Sequence, residues 1–527
     1  MEVDYIIVGA GSAGCVLANR LSAQADVSVA VFEAGKHDQT WKISMPAALT
    51  YNLANKKYNW FYHTDPEPSL NNRPLYWPRG KVLGGSSALN AMVYVRGHAM
   101  DFDRWETEGA SGWNYQSVLP YFKRSETYSK GGDDFRGTNG PLKVIDKICD
   151  NTLFDAFIEA GQQAGYAFTN DFNGAQQAGF GRLDMTIHNG KRCSAAAAYL
   201  HKEILARKNL QMHLQCYVTK ILFKQQRAVG IQYIQRGKVK TYYARREIIL
   251  AGGAINSPHL LMLSGIGAAT QLQKHNISIV HDLPGVGKNL QDHLEYYAQY
   301  ECKTRNTLFA MSNPIYRAKT GIEWFLTRKG LAASSHLEAG AFIHTHSSVA
   351  HPNLQYHFLP GLINDHGRDF GNCHAFQAHV GTMRPESRGE LLLQSSDPST
   401  PLQIKANYLQ TQRDMDDFLA SIPLTRDIFQ QAAFQPFIGK EIQPGPQCLT
   451  RADMERFIRE KADSAYHPCG TCKMGVDEMA VVDPEARVRG IEGLRVADAS
   501  IMPSMLSGNL NAATIMIGEK VSEMITL

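Results

Sequence analysis

Asp4-Tyr5-Ile6-Ile7-Val8-Gly9-Ala10-Gly11-Ser12-Ala13-Gly14 decides how this chain folds at its start. A short β-rich run enters a Gly-x-Gly-x-x-Gly turn, and Val16, Leu17, Ala18 and Leu21 then recur at helical spacing. The physical reading is a strand, a tight turn and a helix that together hold a dinucleotide. Gly9 permits the turn, Gly11 lets backbone approach a pyrophosphate, and Gly14 lets the helix pack on the strand. Free N–H groups at the helix start favour phosphate oxygens, so Ser12 and Ala13 are expected beside the cofactor. A second strand, Val27 to Phe32, delivers Glu33, 19 residues after Gly14, followed by Ala34. The Glu33 carboxylate is placed to accept from ribose hydroxyls and would repel a 2′-phosphate. The pattern does not by itself separate FAD from NAD. Gly285-Val286-Gly287 follows a proline and lacks a third glycine, so it reads as a turn and leaves one dinucleotide site.

Working outward, the 527 residues suffice for at least two lobes. Lys and Arg number 54 against 50 Asp and Glu, without a long basic run, which excludes an electrostatic nucleic-acid footprint and points to a small-molecule partner. Apolar residues at 44% suit a globular enzyme. Met1 to Tyr5 pass directly into the first strand without the basic and apolar regions of a secretory signal. No apolar run approaches a membrane span, and no lipidation motif or clear amphipathic anchor stands out. Nine cysteines, an odd number, read as reduced thiols rather than a disulfide framework. The expectation is a cytoplasmic protein, with peripheral attachment to the cytoplasmic face of the inner membrane as the alternative.

Two longer motifs narrow the reading. Arg79-Gly80-Lys81-Val82-Leu83-Gly84-Gly85-Ser86-Ser87-Ala88-Leu89-Asn90 offers backbone N–H groups for an anion or a ring. Gly253-Ala254-Ile255-Asn256-Ser257-Pro258-His259-Leu260-Leu261-Met262-Leu263-Ser264-Gly265-Ile266-Gly267 follows later. With the fingerprint, and in this order, the two resemble the signatures of the glucose-methanol-choline oxidoreductase family along the whole chain. The resemblance implies an α/β fold: a Rossmann-like FAD domain from residues 1–148, 192–294 and 465–527, and an α+β substrate domain, an antiparallel sheet with helices, from 149–191 and 295–464. It also implies FAD contacts at Val82, Gly84, Gly85 and Asn90, at Val218 beside the adenine, and at Asp498 near the pyrophosphate and ribityl chain. Some relatives bond the flavin to a histidine at the position of Leu89. Leucine cannot make that bond, so FAD is expected to be non-covalent.

Alcohol oxidation needs a base for the hydroxyl proton and a partner for the alkoxide, while the cofactor takes the hydride. His467, in Tyr466-His467-Pro468-Cys469-Gly470-Thr471-Cys472, titrates in a useful range, although any one of 19 histidines is more often structural. The family resemblance makes His467 the base and Asn511 its partner and a cofactor neighbour. Cys469 and Cys472 lack the further ligands of a zinc site, so no metal is expected and the pair reads as packing. By likeness to choline-oxidising relatives, Glu295 faces a trimethylammonium group and His357 contacts the substrate oxygen. A quaternary cation depends on charge and aromatic faces, which Tyr466 could supply and Trp60 less readily. The bland reading of Glu295 is a solvated carboxylate or one paired with Lys or Arg. Leu331 to Phe342 resembles choline dehydrogenases, and Pro352 to Asp369 resembles bacterial alkanol dehydrogenases. The expected reaction is choline to betaine aldehyde with electrons passed to a quinone or another carrier; the alternatives are a dehydrogenase of aliphatic alcohols or polyols, and an FAD-containing lyase.

Overall fold

The computed structural model describes residues 2–367, 369 and 371–527. Met1, at the head of the stretch read against a secretory signal, and Arg368, inside the segment compared with alkanol dehydrogenases, lie outside the described residues.

The first strand, Glu2–Val8, pairs in parallel with Val29–Glu33 on one side and Lys238–Leu250 on the other. Leu210–Leu214 and Leu494–Val496 extend this parallel core, and the antiparallel strands Arg227–Gln235 and Tyr217–Lys224 complete a seven-stranded sheet. Ile6, Ile7, Val29, Ala30 and Val31 are fully buried, as expected of parallel strands covered on both faces. Each large aliphatic side chain removed from water there contributes about 1.5–3 kcal/mol. Gly9 has φ +99°, and a Cβ on it would lie 2.5 Å from the Ala251 carbonyl oxygen. A Cβ on Gly14 would lie 2.0 Å from Gly9 O, so both positions require glycine for close backbone approach.

A second seven-stranded sheet is antiparallel throughout, ordered 438–443, 294–302, 375–382, 354–359, 339–343 and 179–182, with Asp463–Ser464 pairing to 294–302. Helices Thr152–Gln163 and Gln412–Gln430 pack on it. Along Leu294–Cys302 side chains alternate in direction, which puts Glu295, Tyr297 and Gln299 on one face. Gln377 and His379 of the neighbouring strand share that face, in register with Gln299 and Tyr297.

The C-terminal helix Leu510–Thr526 packs along the first helix, Ser12–Leu21. Buried Glu519 joins them, accepting from Arg20, Arg124 and Tyr199. This docking brings the start of the last helix to the mouth of the Gly-rich turn. No helix among the described residues is long and apolar enough to cross a membrane.

Candidate active site

One continuous cavity runs from the Gly-rich turn, along the first sheet, to the charged face of the second. At its nucleotide end it is lined by Gly9, Gly11, Ser12, Ala13, Glu33 and Ala34. The Ser12–Leu21 helix has no side-chain cap and no acidic residue in its first turn, so its N–H groups remain available to an anion. At Gly11 a Cβ would meet nothing closer than 3.9 Å, and the side facing the cavity is open. Glu33 accepts from the backbone N–H groups of Ala10 and Gly35 at 2.9 and 2.7 Å, and burial pushes its carboxyl up to about 7, an environment that favours further hydroxyl donors. Gly85, Asn90, Val218 and Asp498 also reach the wall. Asp498 accepts from Gly253 N and Ser257 Oγ. The residues therefore fit an extended dinucleotide whose phosphates meet the helix start.

Gly14, Val82 and Gly84 do not line the cavity. Gly14 closes the strand–helix packing, as its expected role requires. Val82 packs with Ile43, Tyr58, Ala88 and Leu89, and Gly84 donates to Ala10 O at 2.8 Å. The sequence motif thus mixes lining positions with positions that only shape the loop. Trp60 stacks on Tyr62 and packs on Tyr217, the neighbour of Val218. That Arg192 supports this loop is not visible in any local motif: fully buried, it donates to Ile43 O, Ser87 O and Asn90 Oδ1. Desolvation lowers its guanidinium to about 9.

His467 sits in a turn where Tyr466 adopts φ +66°. Asp292 fixes that turn, accepting from His467 N at 2.6 Å and Ser464 Oγ at 2.5 Å, while Arg79 donates to Tyr466 O. His293 Nε2 lies 3.0 Å from both Met383 O and Leu506 O. Two carbonyls can only accept, so that nitrogen carries the proton. Burial lowers the His293 imidazole to about 4, which leaves its Nδ1 bare. His467 Nδ1, 2.9 Å away, must then donate, and its lone pair is at Nε2. Burial first, then His293, His357 and Arg79, hold the His467 imidazole well below its ordinary value, so the base form is the resting form.

The side chain opposite His467 Nε2 is Asn509, at 3.2 Å. This corrects the expectation that Asn511 is the partner. Asn509 is the N-cap of the last helix and makes no capping bond, at φ −69° and ψ 142°, so its amide turns out of the helix toward His467. Gln355 donates to Asn509 Oδ1 at 3.1 Å, which aims the NH2 at His467. Asn511 lies within the first helical turn, lines the cavity, and accepts at its Oδ1 from Ser12 Oγ at 2.7 Å. His357 Nε2 stands 3.0 Å from Gln355 Nε2, and burial lowers its imidazole to about 4.

Glu295 is 7% exposed and lines the same cavity. Neither bland reading applies: it is not solvated, and no Lys or Arg among the described residues lies within ion-pair distance of it. Its Oε1 accepts from His379 Nδ1 at 2.9 Å. The direction of that bond follows from Gln377, whose Oε1 already accepts from Gln299 Nε2 and Ile363 N. Its NH2 therefore faces His379 Nε2, at 2.8 Å, and the imidazole proton sits on Nδ1. The result is an N–H donor turned toward the Glu295 carboxylate. Tyr297, whose ring is 4.4 Å from that of His379, and Tyr466 line the cavity with Glu295. The Tyr466 hydroxyl is 2.5 Å from His366 Nδ1. His293, Asp292, Asn509, Tyr297 and His379 escape the sequence reading; the run Gln291-Asp292-His293-Leu294-Glu295 held two of them.

Cys469 and Cys472 are fully buried, with thiols raised by burial, and Cys469 Sγ contacts Met505 Sδ at 3.7 Å. Among the described residues no group of three or more His, Cys, Asp or Glu could hold a metal ion.

A family model described as GMC oxidoreductase matches residues 3–295, and its C-terminal counterpart matches 385–518. The chain is 51% identical over 533 residues to the mitochondrial choline dehydrogenase of Mus musculus, covering 99% of this chain and 89% of that protein. It is 51% identical over 526 residues to the oxygen-dependent choline dehydrogenase of Brucella ovis, covering 99% and 95%. Among solved structures, pyridoxine 4-oxidase from Mesorbium loti matches with TM-score 0.90 and 31% identity over 99% of this chain and 98% of that one. A formate oxidase of Aspergillus oryzae, studied for the modification of its FAD, matches with TM-score 0.93 and 26% identity over 100% and 98%.

Proposed function

Because this chain belongs to the GMC oxidoreductase family and is an FAD-dependent alcohol dehydrogenase, we propose that its alcohol is choline, oxidised to betaine aldehyde. The observation that carries this reading is Glu295: a buried carboxylate, unpaired with any Lys or Arg among the described residues, on a cavity wall shared with Tyr297 and Tyr466. A charge and two aromatic rings are what a cation without N–H donors requires. A cavity built for a neutral alkanol has no use for an uncompensated buried anion. The choline dehydrogenases among its relatives support the same substrate.

FAD, when bound, accepts the hydride leaving the carbinol carbon. The chain supplies the rest. Asn509 Nδ2 donates to the substrate oxygen, and His467 Nε2 takes the hydroxyl proton; a single oxygen can bridge these groups. His293 holds the His467 ring with its lone pair toward that oxygen. His357, lining the same cavity, offers a second polar contact, and Glu295 with the two tyrosines fixes the ammonium end. Leu89, buried on the cavity wall, has no atom that can bond to the flavin, which supports non-covalent FAD. We assign the FAD domain to residues 1–148, 192–294 and 465–527 and the substrate domain to the remainder, a division supported by which strands share a sheet. Electrons then pass to a quinone or another carrier. The nine free thiols support a reducing compartment such as the cytoplasm, with contact to the membrane where a quinone is the acceptor.

The test is anaerobic mixing of FAD-loaded protein with choline, 1-hexanol and sorbitol separately, following the oxidised-flavin absorbance. Rapid bleaching by choline alone is expected. Preferential bleaching by hexanol or sorbitol would overturn the substrate, and a flavin that no alcohol bleaches would favour the lyase alternative.

A further inference from the structure

The helix Pro314–Thr327 stands out from the surface, with all but Thr320, Gly321 and Trp324 exposed. Trp324 anchors it, donating from Nε1 to Gly190 O at 2.7 Å. On the side turned away from that anchor, Ile315, Ile322 and Leu326 recur at helical spacing and are 79%, 59% and 80% exposed. Aliphatic side chains at such exposure, in line along one helix, are not the scattered apolar residues of an ordinary surface. Aromatic rings continue the patch. Phe325 meets Trp41 edge to face with centroids 5.9 Å apart, and Trp41 meets Tyr51 at 6.2 Å; all three are among the exposed large apolar residues. Lys42 lies over both Trp41 and Tyr51.

The helix and its flanks carry an excess of positive charge. Between 303 and 329 the chain carries Lys303, Arg305, Arg317, Lys319, Arg328 and Lys329 against the single carboxylate Glu323, and Lys56 and Lys57 are exposed past the far end of Tyr51's helix. The patch is also continuous with the active site. Tyr51 belongs to the short helix Leu49–Leu53, whose Leu49, Thr50 and Leu53 line the cavity.

We propose that this surface, Ile315, Ile322, Phe325 and Leu326 with Trp41 and Tyr51, docks the protein on an anionic lipid bilayer and turns the Leu49–Leu53 wall of the cavity toward the lipid. Aliphatic side chains enter the acyl boundary, the indole and phenol sit at headgroup depth, and the basic rim meets lipid phosphates. A second copy of this chain fits less well, because pairing through the patch would oppose two like-charged rims. The proposal rests on the alcohol-oxidising reading only for its consequence, that a lipid-dissolved quinone reaches the reduced cofactor from the membrane side. The docking itself does not depend on the substrate.

The test uses the FAD-loaded full chain and vesicles of phosphatidylcholine with or without phosphatidylglycerol. Wild type should co-sediment with the anionic vesicles and less so at high salt. The triple variant Ile315→Gln, Ile322→Gln, Leu326→Gln should lose at least about tenfold in partitioning at unchanged flavin content and Tm. Lys319→Glu with Lys329→Glu should weaken binding to anionic vesicles alone. Reduction of a vesicle-dissolved quinone should slow in the triple variant, while reduction of a water-soluble acceptor should not. Absence of wild-type binding, or a triple variant that binds like wild type, overturns the proposal. A concentration-dependent dimer in light scattering that the triple variant abolishes would also overturn it and assign the patch to a second copy.

Discussion

Glu295→Gln isolates the charge of the proposed cation site with little change of shape. The amide retains an oxygen to accept from His379 Nδ1, which now bonds Glu295 Oε1 at 2.9 Å, so the local hydrogen bonding survives. What disappears is one unit charge at a position 7% exposed. For an ammonium centre about 5 Å from the carboxylate at an effective dielectric constant of about 20, the attraction is about 3.3 kcal/mol. Desolvating the cation offsets part of this, leaving about 2–3 kcal/mol, or about 30- to 150-fold in kcat/KM. The assay compares choline with 3,3-dimethyl-1-butanol, which replaces the quaternary nitrogen by carbon at nearly constant shape. Choline should lose that factor, mainly through KM, and the neutral alcohol should change little. An equal loss on both alcohols would refute the charge argument and make Glu295 a structural partner of His379.

Two further substitutions test the rest of the site. With FAD saturating, Asn509→Ala should lower kcat by about 10²–10³-fold through loss of a donor to the developing alkoxide, whereas Asn511→Ala should weaken FAD binding with a small effect on kcat; the reverse pattern would reinstate Asn511 as the partner of His467. Burial holds the Asp463 carboxyl up to about 7, above its ordinary value of 3.8, so the native state binds that proton more tightly than the unfolded chain and loses stability as pH rises from about 4 to about 7. Asp463→Asn should therefore raise Tm most above about pH 7 and progressively less toward about pH 4, and melting curves with the same shift at about pH 5 and about pH 9 would contradict it.

The sequence by itself determined the dinucleotide unit, because strand, turn, helix and Glu33 lie within one short stretch and their roles follow from backbone sterics and alternation. It also identified His467, Glu295, His357 and Tyr466, which the tertiary structure gathers on one cavity, though for these it relied on resemblance. For the partner of His467 the resemblance chose Asn511, because two asparagines two residues apart are not separated by spacing alone. Only the docking of the last helix on the first decided between them, leaving one amide outside the helix against His467 and the other inside it against Ser12. The tautomer of His467 was equally out of reach, because it depends on His293 and on two carbonyls, Met383 and Leu506, far apart along the chain. His379 became the partner of Glu295 only when strands 294–302 and 375–382 paired in register. Local patterns fix what a short segment can do alone, while proton positions and charge partners are set by contacts between segments that sequence spacing does not encode.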